Sequence, residues 1–175
     1  MVTENKTIDK LLENYKNVLK TDFEVYRNHV YRIYNYAILL DKEINNYEKY
    51  VIASVFHDLG IWTHSFDYLK PSIQMASEYL KEIDKQDWIE EISLMIDYHH
   101  KVSSYKGEFS KTVEIFRKAD WIDVIMGIKL FELDKSKYKT IQKQISNKGF
   151  HWFLVKQSLK YFVKHPFNPL PMFKK

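Results

Sequence analysis

From Met1 to His165 the chain contains a single proline, Pro71, and the whole sequence holds only four glycines. Chain breakers this sparse leave little material for the many turns a sandwich of short strands needs, and they favour long helices packed on one another. At 175 residues the chain suits one domain and can bury a core without staples. Ile8 to Leu19 reads as a first helix, with Leu11, Leu12, Tyr15 and Leu19 on one stripe. Asp22 is placed to cap a longer helix reaching Leu40, along which Val25, His29, Arg32, Ile33, Tyr36 and Leu40 keep helical spacing. A third helix is expected from about Asn46 to His57, ended by Gly60. Pro71 and Ser72 open a fourth, to about Ile83, and Asp87 starts a fifth that reaches His100. Ser110 is expected to cap a sixth, carrying Val113, Phe116, Asp120 and Val124. Two shorter helices follow near 137–145 and 150–164, and His165 to Lys175 is proline-punctuated and irregular. The expected fold is therefore an all-α bundle of about six to eight helices, forming one domain over 1–175.

The absence of cysteine excludes a disulfide framework and any thiolate metal site. A metal would need His, Asp or Glu. The stretch Met1–Lys20 has no continuous apolar core, so it reads as neither a signal peptide nor a membrane span, and we expect a cytoplasmic protein with no membrane partner. The net charge of +4 conceals an asymmetry: Lys135 to Lys175 holds ten lysines and no acid, against 17 basic and 23 acidic residues before it. Such a segment can attract anions, but it also reads as an ordinary solvated surface. Its lysines are spread over helical positions with no nucleic-acid motif beside them, so no nucleic-acid partner is expected. The expected partner is a small molecule.

Seven histidines are present, several at helix ends or on otherwise apolar faces. His57 and Asp58 are adjacent in Val55-Phe56-His57-Asp58-Leu59-Gly60. Neighbours on a helix point about 100° apart, so both reach one ion only if it lies over the helix end. His29 sits where Val25, Ile33 and Tyr36 face the core, and Asp120 stands between Ala119 and Trp121. A buried carboxylate needs a partner or a cation. Taken singly, each has an ordinary reading. His29 can be a hydrogen-bonded core histidine, Asp58 a helix end, and Asp120 a partner for Arg117 one turn earlier. Two imidazoles and two carboxylates together suit Mn, Fe, Zn, Ni or Co, and Mg less well.

The order His29, then His57-Asp58, then Asp120, spread over five helices, resembles the HD superfamily of metal-dependent phosphohydrolases over roughly residues 25–125. The resemblance implies a helical bundle in which His29, His57, Asp58 and Asp120 bind one divalent transition metal. The stretch His57 to Leu69, the pair His99-His100 before Lys101, and the ending HPFNPLPM are similar to a bacterial branch of HD proteins. That likeness implies fold and metal far more than substrate. The first helix and the basic segment 135–175 lie outside the shared core. Some HD proteins hold two metals through extra histidines, and His99-His100 stands where one such ligand would. No further histidine follows before Asp120, which favours a single metal.

Around such a metal, His64 and Asp67, in the loop after the doublet, are candidate acid–base residues. His64 also reads as a plain loop residue. His99, His100, Lys101, Arg117 and Arg32 are candidates for holding substrate, the cations by charge-assisted hydrogen bonds; either arginine could instead neutralise a neighbouring acid. Three functions compete. One is hydrolysis of a small phosphorylated molecule or nucleotide by a metal-activated water. A second is hydration or hydrolysis of a small neutral C–N compound in a pocket lined by Trp62, Phe66 and Tyr68. The third is a non-enzymatic binding module that presents Phe150, Trp152, Tyr161 and Phe162, and a complete ligand set argues against it.

Overall fold

The computed structural model describes residues 1–64 and 67–164. All regular structure among them is helical. Helix α1 (Lys6–Asn14) is capped by Asn5, whose side chain accepts from the N–H groups of Thr7 at 3.0 Å and Ile8 at 3.1 Å. It buries Ile8, Leu11 and Leu12. The expected single helix to Leu19 is interrupted at Tyr15, which leaves the helical range, and a one-turn α2 (Lys16–Leu19) follows.

Next comes α3 (Phe23–Leu40), the central strut, in which Tyr26 and every residue from Asn28 to Ala37 is buried. A helix buried on all sides is usually apolar all round, yet this one carries Asn28, His29, Arg32 and Asn35. Each is answered by a specific partner. Asn35, for example, donates to the carbonyls of Val2 and Tyr31 and accepts from the Val2 N–H, each at 2.7 Å. Asp22 does not cap α3 as expected. Its carboxylate accepts from Trp62 Nε1 at 2.9 Å, so it joins distant segments instead.

Helix α4 (Tyr47–Phe56) lies on α3, followed by the single turn α5 (Gly60–Thr63), α6 (Leu69–Glu82) and α7 (Ile89–Tyr98). Next are α8 (Ser110–Val124), α9 (Lys135–Gln144) and α10 (Phe150–Lys164). The main packings are α3 on α8, α6 on α7, α7 on α8, and α4 on α3. Eight of these ten helices exceed one turn, matching the expected bundle. No described helix is long and apolar enough to cross a membrane. Phe66 and the ending His165–Lys175 lie outside the described residues.

Three local expectations are corrected. Gly60 does not stop α4; it opens α5 and allows a close approach, since a Cβ there would stand 2.4 Å from the Tyr68 carbonyl oxygen. Ser110 is the first residue of α8 rather than its cap, and the chain enters that helix through Phe109 in the left-handed region, at φ 56°. Pro71 is the third residue of α6, not its opener, still within the first turn where no N–H is missed.

The turn between α3 and α4 is tied by Asp41. Its buried carboxylate accepts from the Glu43 N–H at 3.0 Å, Asn46 Nδ2 at 2.8 Å and Tyr50 O–H at 2.7 Å. Burial alone would raise this carboxyl, but the hydrogen bonds outweigh it and hold it below its usual range. A depressed folded pKa contributes stability above the unfolded value of about 4, and the contribution is lost as pH falls through the folded value. Asp41→Asn is expected to lower stability by about 1–3 kcal/mol at neutral pH. Chemical denaturation from pH 7 to pH 3 should show a shallower loss of stability in the variant than in the wild type.

Candidate metal centre

Four helices bring their polar residues to one point. His29 comes from the middle of α3, His57 from the end of α4, His99 from the end of α7, and Asp120 with Asp123 from α8. His57 and His99 use the same local device. The last carbonyls of a helix lack intrahelical donors. His57 Nδ1 donates to the Ser54 carbonyl at 2.8 Å, and His99 Nδ1 to the Ile96 carbonyl at 2.6 Å, each three residues back. A carbonyl only accepts, so Nδ1 carries the hydrogen in both rings and each Nε2 turns away from its helix with a lone pair.

His29 reaches the same state by another route. Its Nδ1 donates to Asp123 Oδ2 at 2.8 Å. Asp123 is itself gripped by Arg32, Nε to Oδ1 at 2.6 Å and Nη2 to Oδ2 at 2.8 Å, with all three side chains fully buried. A carboxylate behind a ligand histidine is a recurrent support of metal sites, fixing tautomer and ring orientation. Burial opposes the Asp123 charge, but the Arg32 guanidinium dominates and keeps its carboxyl well below the carboxylate range.

The lone pairs converge. The Nε2 atoms of His29 and His57 face one another at 3.1 Å. Asp58 Oδ2 is 3.4 Å from His57 Nε2 and 3.7 Å from His29 Nε2. Asp120 Oδ1, a buried atom with no hydrogen-bond partner, lies 3.8 Å and 3.9 Å from the same two nitrogens. One ligand atom each from His29, His57 and Asp58 falls within a 4.8 Å group. Two facing imidazole nitrogens at this spacing suit a shared proton or a cation. With metal–nitrogen bonds of about 2.0–2.1 Å, ligands of one ion are separated by a similar distance. The donor set, nitrogen and oxygen without thiolate, is that of a divalent transition metal. The residues present therefore fit such an ion.

The surrounding carboxylates also favour charged rings, so a proton competes with a cation for the same lone pairs. Burial works against a charged His29 and a charged His99, yet the bonds to Asp123 and Asp58 respectively outweigh it and raise both. Burial likewise opposes the Asp58 charge, but the adjoining histidines hold that carboxyl well below its usual value. For Asp120 burial prevails and the carboxyl is pushed up. One carboxylate is kept charged, and the other is costly to charge without a cation nearby.

Of the remaining candidates, His99 belongs to the cluster, with Nε2 at 3.4 Å from Asp58 Oδ1. The His100 ring packs edge-on against His99 at 4.9 Å and is buried. Lys101 follows, half-buried. Both arginines are engaged within the fold. Arg117 turns from Asp120 to Glu114, with two bonds of 2.7 Å, and donates to the Lys101 carbonyl at 3.2 Å. Arg32 is committed to Asp123 and to the Ser146 carbonyl at 3.0 Å. Helix geometry explains both: each guanidinium finds a fixed acceptor within the core. His64 is exposed, its Nδ1 bonded to Thr63 Oγ1 at 2.8 Å, and Asp67 is exposed too. Both contrast with the buried cluster.

The sequence assigns neither Asp123 nor Phe150 to the site, and Tyr68 only to a pocket lining. A signal for Asp123 was available, since a buried arginine one turn after His29 demands a carboxylate, and Asp123 stands one turn after Asp120. Tyr68 is buried, with its O–H 3.3 Å from His99 Nε2. Burial, then the Asp58 and Asp120 charges, push its phenol well above its ordinary value, so it stays protonated. Phe150, the first residue of α10, stacks on the His29 ring with centroids 3.6 Å apart. It is buried and forms a roof over the site.

A model of the HD domain family matches residues 26–125. The chain belongs to the HD domain family. The matched stretch holds His29, His57, Asp58, His99, Asp120 and Asp123, and it stops before α9 and α10. No curated protein and no solved structure matches the chain. HD domains are generally metal-dependent hydrolases, and the His29–His57–Asp58 cluster of this one could hold the ion.

Two measurements address the HD site. His57→Ala and Asp120→Ala are each expected to abolish stoichiometric metal binding, read by elemental analysis after dialysis; full occupancy in both would place the site elsewhere. Asp123→Asn is expected to keep the metal but bind it about 10–100-fold more weakly, read by competition with a chelating dye.

Proposed function

We propose that this HD protein is a metal-dependent phosphohydrolase of a small phosphorylated molecule, with His29, His57, Asp58 and Asp120 as the ligands of one divalent transition metal. The observation that carries the reading is the convergence of imidazole lone pairs on a buried carboxylate oxygen that has no hydrogen-bond donor. A divalent ion held there would supply a water of lowered pKa as nucleophile and would polarise a phosphoryl oxygen.

The chain's own residues do the rest. Asp123 and Arg32 fix the His29 ring, and the Ser54 and Ile96 carbonyls fix His57 and His99. Orientation set by the fold before substrate arrives costs nothing at the moment of reaction. Phe150 covers His29, and Phe153 stacks on Trp62 at 4.7 Å, which keeps bulk water from that side. His99 Nε2, on the Asp58 Oδ1 side, is placed to take and return a proton.

A second reading has a specific observation behind it. With Arg32 and Arg117 engaged elsewhere, the centre lacks the bidentate clamp that often holds phosphate, which suits a small neutral C–N substrate. A hydrolysis screen separates the two. The protein loaded with manganese, cobalt or zinc is expected to cleave a member of a set of phosphomonoesters and nucleotides, and to lose that activity with chelator. Release of ammonia from amides or nitriles, with no phosphoester cleaved under any metal, would replace the first reading with the second.

A further inference from the structure

Asp58 has two faces. Its Oδ2 turns to the His29–His57 pair, while Oδ1 turns to His99 at 3.4 Å. On that second side stands Tyr68, its O–H at 3.3 Å from His99 Nε2. The other groups named at the centre present lone pairs: the Nε2 atoms of His29, His57 and His99, and the carboxylates of Asp58 and Asp120. Tyr68 brings an O–H donor into this ring of acceptors.

Its position is built. Tyr68 lies directly before α6, and its carbonyl accepts from the Ser72 N–H at 2.9 Å. Ser72 Oγ in turn accepts from the Gly60 N–H at 3.0 Å. Gly60 lies two residues beyond Asp58, and its missing Cβ is what lets the Tyr68 backbone approach so closely. The segment carrying Tyr68 is thus clamped to the segment carrying the His57-Asp58 doublet, the kind of backbone support that fixes a functional group within fractions of an ångström.

We propose that Tyr68 is a substrate-binding residue of this centre, donating its O–H to an oxygen of the phosphoryl group. The proposal rests on the phosphohydrolase reading. Its chemistry compensates for the absent arginine clamp: a neutral phenol, set on the side of Asp58 opposite the His29–His57 pair, can donate to one anionic oxygen. At 3.3 Å the bond to His99 is long for an O–H donor, so an anionic oxygen is a stronger acceptor for the same hydrogen.

The test is titration of inorganic phosphate into the manganese-loaded protein, wild type against Tyr68→Phe, with metal content and melting temperature measured alongside. Tyr68→Phe is expected to retain its metal and bind phosphate about tenfold or more weakly, as loss of a charge-assisted hydrogen bond implies. Phosphate binding equal to wild type overturns the proposal. So does loss of the metal in Tyr68→Phe, which would make Tyr68 a prop for Asp58. In the wild type loaded with zinc and labelled at tyrosine Cζ, phosphate is expected to shift the Tyr68 resonance. No shift at saturating phosphate overturns the proposal whether or not the variant folds. A wild type that cleaves no phosphoester and binds no phosphate brings down the phosphohydrolase reading itself, and this inference with it. A wild type that cleaves phosphoesters while Tyr68→Phe matches it removes only the role of Tyr68.

Discussion

The buried pair of Arg32 and Asp123 is the constraint on which the rest depends. Two charges out of water are costly, and their attraction offsets that cost only when the remaining donors and acceptors are also met. Here they are. The guanidinium meets both carboxylate oxygens and the Ser146 carbonyl, and the carboxylate also accepts from His29. The pair therefore locks α3 to α8, sets the tautomer of His29, and pins the start of the C-terminal segment to α3, where Asn28 also donates to the Ser146 carbonyl at 2.8 Å. A purely apolar contact between α3 and α8 would stabilise the core as well, but it would leave His29 free to rotate.

Helix termini supply the other half of the site. A helix end inside a core is a liability, because its last carbonyls need donors. Histidine resolves this at α4 and α7 with one ring nitrogen and keeps the other for the centre. The same residue thus satisfies the backbone and offers a ligand, which is why an apolar helix such as Tyr47–Phe56 ends in His57. The geometry needs no special loop: the Nε2 atoms of His29 and His57 meet, with that of His99 on the other side of Asp58, because the helices carrying them meet.

How far the sequence discloses this depends on whether the cause is local. Scarce breakers and helical spacing are local, and the long helices fall where the spacing puts them, α9 and α10 included. The His29, His57-Asp58 and Asp120 residues are legible because each is out of place on an apolar face. Partner choice is not local. Arg117 reads equally well as a mate for Asp120 or for Glu114, both three residues away, and only the packed rotamer decides. Asp22 reads as a cap until Trp62, 40 residues on, takes its carboxylate. Gly60 reads as a helix stop because that is the commonest use of a glycine there. Its actual use, letting Tyr68 in, depends on a contact across the fold.

The segment beyond the HD match packs onto the centre. Phe150 is fully buried against His29, and His151 Nε2 donates to the Asp123 carbonyl at 2.7 Å, so α10 is fastened to the same residues that orient the ligand. Its opposite face leaves Trp152 73%, Leu159 60% and Val163 79% exposed. A helix that buries one aromatic on the site and leaves apolar side chains in water is not held by its own burial alone. Its seat comes from the ring stack, the His151 bond and the Ser146 anchor. All three lead back to α3 and α8, so what stabilises the Arg32–Asp123 pair also closes the roof over the candidate metal centre.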